Sequence, residues 1–309
     1  MFFVARATAI EHVYIWAFTE GIFSGFVYIP CLTIFQKMFP DHKGFASGIF
    51  NLTFGGAAAV MSPLFTYLLV SKGYVFTSNF SGIISIFLGT SLALFVKIPN
   101  EKKDLRIHHL PSLSVKKILR LPCFWFLWCV WALSGAAGVS LIVLSSSFGQ
   151  HLGYEITQYV YILTCFNVLN GIGRLVCGRL SDHYSKQKIL MSIFIMASGA
   201  YFMMPWFSHL YLISFLACFI GIAFGGLFTV SAPLVTEVFG LENFGIVFGM
   251  VFTAYGFFAG FLGPWLSGII LDMSGADFKI VFSLFAVFYL ISSLLILGVK
   301  KPSTSIIRI

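Results

Sequence analysis

Long, uninterrupted apolar runs are the feature that most limits what this chain can become. They cover residues 13–37, 44–71, 78–97, 121–149, 157–180, 188–207, 210–236, 245–271 and 278–299, after a shorter apolar stub at 1–10. About twenty apolar residues carry an α-helix across the bilayer hydrocarbon, whereas a transmembrane strand needs only about ten, in alternation. The runs fit the helical description, and inside lipid only helices and closed barrels satisfy their own backbone hydrogen bonds. The spacing therefore predicts an all-α integral membrane bundle of about nine complete transmembrane helices. A hydrophobic fraction of 59% against 10% charged residues, with mean hydropathy +0.94, excludes an ordinary soluble domain. Arg6, Glu11 and His12 interrupt the first run and no small-residue cleavage site follows, so no signal peptide is expected.

The formal charge of +8 does not point to nucleic acid. Basic residues gather in a few short connections, as they do in the cytoplasmic loops of membrane proteins. With the polar stretch 98–120 placed inside and the helices alternated outward from it, Arg6, Lys72 and Lys279 fall outside and Arg174 lies within a helix. The remaining Lys and Arg all fall inside. That asymmetry predicts a cytoplasmic linker and C-terminus in a plasma or inner cell membrane. Cys31, Cys123, Cys129, Cys165, Cys177 and Cys218 are scattered through apolar segments and read as small buried hydrophobes. The sequence carries no Gly-rich phosphate loop, metal-ligand spacing or Gly-x-Ser-x-Gly elbow, so no enzyme, cofactor or metal is expected.

Part of the chain repeats. Gly21, Ile22, Gly25 and Phe39 match Gly221, Ile222, Gly225 and Phe239 at an offset of 200, and Gly44, Gly48, Gly55 and Pro63 match Gly245, Gly249, Gly256 and Pro264 at an offset of 201. Two helices and their connection thus recur beyond the linker with the same membrane direction. Parallel repeats of this kind relate the two halves of major facilitator transporters. If 13–71 corresponds to 210–271, the spans at 121–207 have no counterpart ahead of residue 13 except the stub. The expected division is a partial first half at 1–97 (the end of helix three and helices four to six), the linker 98–120, and a second half at 121–309 (helices seven to twelve).

The loop string Gly178-Arg-Leu-Ser-Asp182, followed by Lys186 and Lys188, resembles the major facilitator loop signature, except that Ser185 stands where glycine is usual. A carboxylate at Asp182 suits helix N-termini, so these residues are candidates for a gating loop. The alternative is a charged loop that merely obeys topology. More narrowly, Phe39-Pro-Asp-His-Lys-Gly-Phe-Ala-Ser-Gly48, Asn170-Gly-Ile-Gly-Arg174, Phe252-Thr-Ala-Tyr-Gly256 and Leu271-Asp-Met-Ser-Gly275 resemble the oxalate–formate antiporter and monocarboxylate transporter branch.

That resemblance implies roles for particular residues. An arginine in family helix eight binds the substrate carboxylate, and Arg174 falls there. An intramembrane charge costs roughly 2.5–3.5 kcal/mol on insertion scales, so it is retained where it meets a partner, a substrate or a water-filled cavity. A guanidinium matches a carboxylate bidentately; the competing reading has Arg174 snorkelling toward the headgroups with Arg179. Asn170, one turn earlier, replaces an aspartate that monocarboxylate transporters use in proton coupling. Tyr255 stands where the oxalate-specific member has a second cation, which favours a monoanion such as lactate, pyruvate or formate. Tyr28 is expected to line the cavity or pack the core, and Glu20 to serve as a proton site or lie at the outer interface. Asn51 and Asn167 suit interhelical hydrogen bonds. The expected partners are a small carboxylate anion, protons or a counter-anion, and the lipid bilayer. The other possibilities are a carrier for a different organic anion or drug, and a truncated, non-transporting fragment.

Overall fold

The computed structural model describes residues 2–95 and 113–301, apart from the side chains at 54–60, 62, 63, 66 and 156. Its helices are α1 (Ile10–Met38), α2 (Lys43–Ala93), α3 (Val115–Leu119), α4 (Pro122–His151), α5 (Ile156–His183), α6 (Lys186–Met203), α7 (Leu210–Phe239), α8 (Phe244–Thr253), α9 (Gly260–Ser274) and α10 (Phe278–Leu295). Among the described residues, eight helical stretches are long and apolar enough to cross a membrane. The run at 44–71, expected as a span of its own, forms the first part of α2, and residues 98–112 of the linker lie outside the described residues.

Two expected boundaries moved. Gly73 interrupts α2 at φ 80° and ψ 173°, a conformation that glycine adopts without steric cost. One such residue redirects the chain, so residues 74–77 join the following helix and no longer loop is needed. The run 245–271 is not a uniform α-helix either. Ala254–Ala259 form a π-helical turn between α8 and α9, with Tyr255 and Gly256 inside it. Such turns are frequent at functional sites because the extra residue per turn re-aims side chains.

The core lies among α4–α10. The most apolar windows of α4 and α7 are each 67% buried, against 11% for α1. Gly221 and Gly225 explain how α7 comes so close to α5. A Cβ at either position would fall 2.3 Å from a backbone oxygen, of Phe166 and Asn170 respectively. The repeat counterparts on α1, Gly21 and Gly25, have nothing within 4 Å. Identical residue types thus sit at a tight helix crossing on α7 and on an open face of α1. Gly221→Ala is expected to lower stability by about 1–3 kcal/mol through overpacking against backbone. Gly21→Ala should be neutral or slightly stabilising, because alanine is the better helix former by about 1 kcal/mol. Thermal unfolding of the two variants in detergent would check the contrast.

Candidate functional site

Arg174 is buried, 8% exposed, which disagrees with a side chain reaching for headgroups. Its Nε donates to Asn170 Oδ1 at 3.1 Å, a contact that follows from the i, i+4 spacing on α5. Its Nη1 donates to the backbone carbonyl of Asn51 on α2. Small residues bring that carbonyl within reach: a Cβ on Gly48 would lie 2.7 Å from the Arg174 carbonyl oxygen, and one on Gly178 would lie 2.6 Å from the Gly44 oxygen. The guanidinium carbon lies 5.5 Å from the centre of the Phe228 ring, near enough for cation–π attraction. Among the described residues, no carboxylate pairs with Arg174.

Asn51 joins three helices. Its Oδ1 accepts from the Tyr28 hydroxyl on α1 at 2.7 Å, and its Nδ2 donates to the Ser47 carbonyl at 2.8 Å. Tyr28 is buried and stacks on Phe252 with ring centres 5.4 Å apart. Tyr255 closes the aromatic wall, 5.1 Å from the Phe228 ring that also faces Arg174 and 5.5 Å from Phe252. Trp131 on α4 backs it at 6.2 Å, with its indole N–H held by Ser231 Oγ at 3.0 Å. Arg174, Asn170, Tyr28 and Tyr255 therefore share one locale, with Asn51 as its hub. Glu20 stands apart, exposed on α1 two turns from Tyr28. Asn167 is also exposed.

Asp182 caps the start of α2. Its two carboxylate oxygens accept from the backbone N–H groups of Gly44 at 2.7 Å and Phe45 at 2.9 Å, so charge, dipole and orphan donors are all matched. Lys186 pairs with Glu237 on α7 at 2.7 Å. Lys188 lies in the first turn of α6, where its backbone N–H points at Ser185 Oγ. Ser185 is the N-cap of α6, a position that favours a hydroxyl. That accounts locally for the departure from the loop signature.

Sequence reasoning missed Gln36. It is fully buried on α1, accepts from the Thr236 hydroxyl on α7, and donates to Ser47 Oγ at 3.1 Å. Positions 36 and 236 are separated by the repeat offset of 200, so each is the other's counterpart, and both are polar within apolar spans. That coincidence was the available signal. A separate cleft of about 340 Å³, lined by Phe148, His151, Pro205 and Asp277 among others, does not include Arg174.

The family model for the Major Facilitator Superfamily matches residues 1–257 and 148–308. The chain belongs to the major facilitator superfamily. Among curated relatives in that superfamily, the oxalate:formate antiporter of Oxalobacter formigenes is 24% identical over 84% of this chain and 64% of its own length. An uncharacterized MFS-type transporter of Escherichia coli is 24% identical over 76% of this chain and 60% of its own. The apicoplast pyruvate carrier 1 of Toxoplasma gondii is 29% identical over 46% of this chain and 27% of its own. The chain thus spans about three-fifths of the length of the first two relatives. All-helical architecture with long apolar helices is what this membership entails, and members of the superfamily are transporters rather than enzymes.

Proposed function

We propose that the protein carries a small monocarboxylate anion across the bilayer by alternating access, with Arg174 as the carboxylate ligand. One observation carries the reading: a buried guanidinium whose hydrogen-bond acceptors are neutral amide oxygens. Such a group has five donors, and the two described bonds use two of them. A carboxylate would supply both the missing charge and a planar pair of acceptors. Phe228, Phe252 and Tyr255 would form the apolar wall beside it, with the Tyr255 hydroxyl as the neutral donor, while the Tyr28 hydroxyl, already donated to Asn51, would hold that hub in place. Among the described residues Arg174 is the one cation at the site, which suits a monoanion. The names of two relatives, an oxalate:formate antiporter and a pyruvate carrier, support the carboxylate class.

The accompanying topology places residues 1–97 and 121–309 as two halves joined by a cytoplasmic linker at 98–120. Asp182, Lys186 and Lys188 lie on the inner gate, and protons or a counter-anion act as the coupled species. Glu20 is the proton-site candidate of that scheme. The experiment is uptake into vesicles containing the purified protein. Labelled formate, lactate and pyruvate are offered in turn, with unlabelled mono- and dicarboxylates as competitors. Saturable uptake of at least one monoanion, with weaker competition by oxalate, is expected. Competition by neutral or cationic drugs alone would overturn the reading.

The open face at Gly21 and Gly25 favours a second reading, a membrane protein that does not transport by itself. It predicts no saturable uptake of any anion by the purified chain in the same assay.

A further inference from the structure

We propose that α3 and its flanks form a docking site for the headgroups of anionic phospholipids. The helix is short and two-sided. Leu113, Ile118 and Leu121 are buried against the bundle, while Lys116, Lys117 and Arg120 are exposed on the other side. Among the described residues, no carboxylate pairs with any of the three. The segment is anchored by hydrogen bonds at both ends. The Leu113 N–H donates to Asn243 Oδ1 at 2.8 Å, and Asn243, itself buried between α7 and α8, donates to the Phe239 carbonyl at 2.9 Å. At the other end, the Trp125 indole N–H donates to the Leu119 carbonyl at 2.8 Å and closes the last turn.

The surroundings decide the source of the anion. Val115, Leu119 and Trp125 are 47%, 40% and 46% exposed beside the three cations. A soluble phosphate would leave that apolar rim in water. A phospholipid would cover it with its glycerol and upper acyl region, with the Trp at the depth where indoles concentrate. Basic clusters directly at the end of a transmembrane helix attract acidic lipids in this way, and Pro122 opens α4 immediately after Arg120. The inference rests on the membrane topology proposed above and not on the carboxylate reading, so a binding measurement tests it whether or not the protein carries an anion.

Native mass spectrometry of the purified chain, titrated with phosphatidylglycerol and separately with phosphatidylcholine, gives the test. Phosphatidylglycerol should bind more tightly to the unmodified chain. Joint Lys116→Gln, Lys117→Gln and Arg120→Gln substitution should weaken it roughly tenfold or more. The Lys116→Arg, Lys117→Arg, Arg120→Lys variant should retain it, and Arg120→Gln alone should give a partial loss. Unchanged binding by the triple glutamine variant overturns the proposal. So does an equal loss from Lys300→Gln with Lys301→Gln, which would mean diffuse charge attraction. Displacement of the lipid by an equal concentration of inorganic phosphate overturns it too, because it would mean a free-anion site.

Discussion

Arg174→Ala is expected to abolish saturable carboxylate uptake while leaving the helical bundle assembled. Truncating one partner of a buried, hydrogen-bonded charge pair costs about 2–5 kcal/mol, a roughly 30- to 5,000-fold loss of affinity for the bound anion. The folding consequence is smaller, because two effects oppose each other. Asn170 Oδ1 and the Asn51 carbonyl each lose a donor, at about 1–3 kcal/mol for a buried acceptor left unpaired. Against that, a charge no longer has to be desolvated inside the membrane. Arg174→Lys separates charge from geometry. A lysine keeps the positive charge but offers no planar fork and reaches the Asn51 carbonyl differently, so intermediate uptake with a weaker apparent affinity is expected. Concentration dependence of uptake in vesicles, measured alongside thermal unfolding in detergent, distinguishes these outcomes. Normal saturable uptake by the alanine variant would remove Arg174 from the site.

The parts of this structure that are legible in the sequence are those carried by side-chain polarity. A bilayer demands about twenty apolar residues per crossing, so the spans announce themselves. A lone arginine inside one of them is equally visible. What Arg174 touches is not visible, because its partner on α2 is the backbone carbonyl of Asn51, and every residue has one. Gly44, Gly48 and Gly178 were readable as small residues, yet only their contacts across α2 and α5 show that they set the distance for that bond. The π-helical turn at Ala254–Ala259 left no pattern that an α-helical span would not also leave. The repeat itself was readable, but it aligned glycines that have opposite surroundings. Gly221 and Gly225 are wedged against α5, and Gly21 and Gly25 are open, so equal sequence did not mean equal packing. Asp182 shows the reverse case. Its preference for a helix N-terminus follows from electrostatics alone, while the choice of α2 as that helix depended on a fold that brings positions 44 and 182 together.

Gln36→Leu is expected to loosen the link between α1 and α7 that the Gln36–Thr236 hydrogen bond makes. The amide serves two buried partners at once, accepting from Thr236 and donating to Ser47. A leucine of similar size would strand a donor and an acceptor in a dry environment, each at about 1–3 kcal/mol. Ser47 keeps its own bond to the Lys43 carbonyl and Thr236 its bond to the Ala232 carbonyl, which holds the total toward the lower end. Positions 36 and 236 are separated by the repeat offset of 200, and their side chains bond the end of α1 directly to the end of α7. A rocking motion that opened this end of the molecule would have to break it. Under the alternating access proposed above, the variant should favour separation of α1 from α7 at this end by about tenfold or more, and amide hydrogen exchange should rise selectively in the last turns of α1 and α7 and the first turn of α2. Thr236→Val leaves only the Gln36 Oε1 unpaired and should give a smaller rise. The double variant should fall short of the sum of the two, as expected for residues sharing one interaction. Exchange protection unchanged in all three variants would mean that the bond is incidental to the contact between α1 and α7.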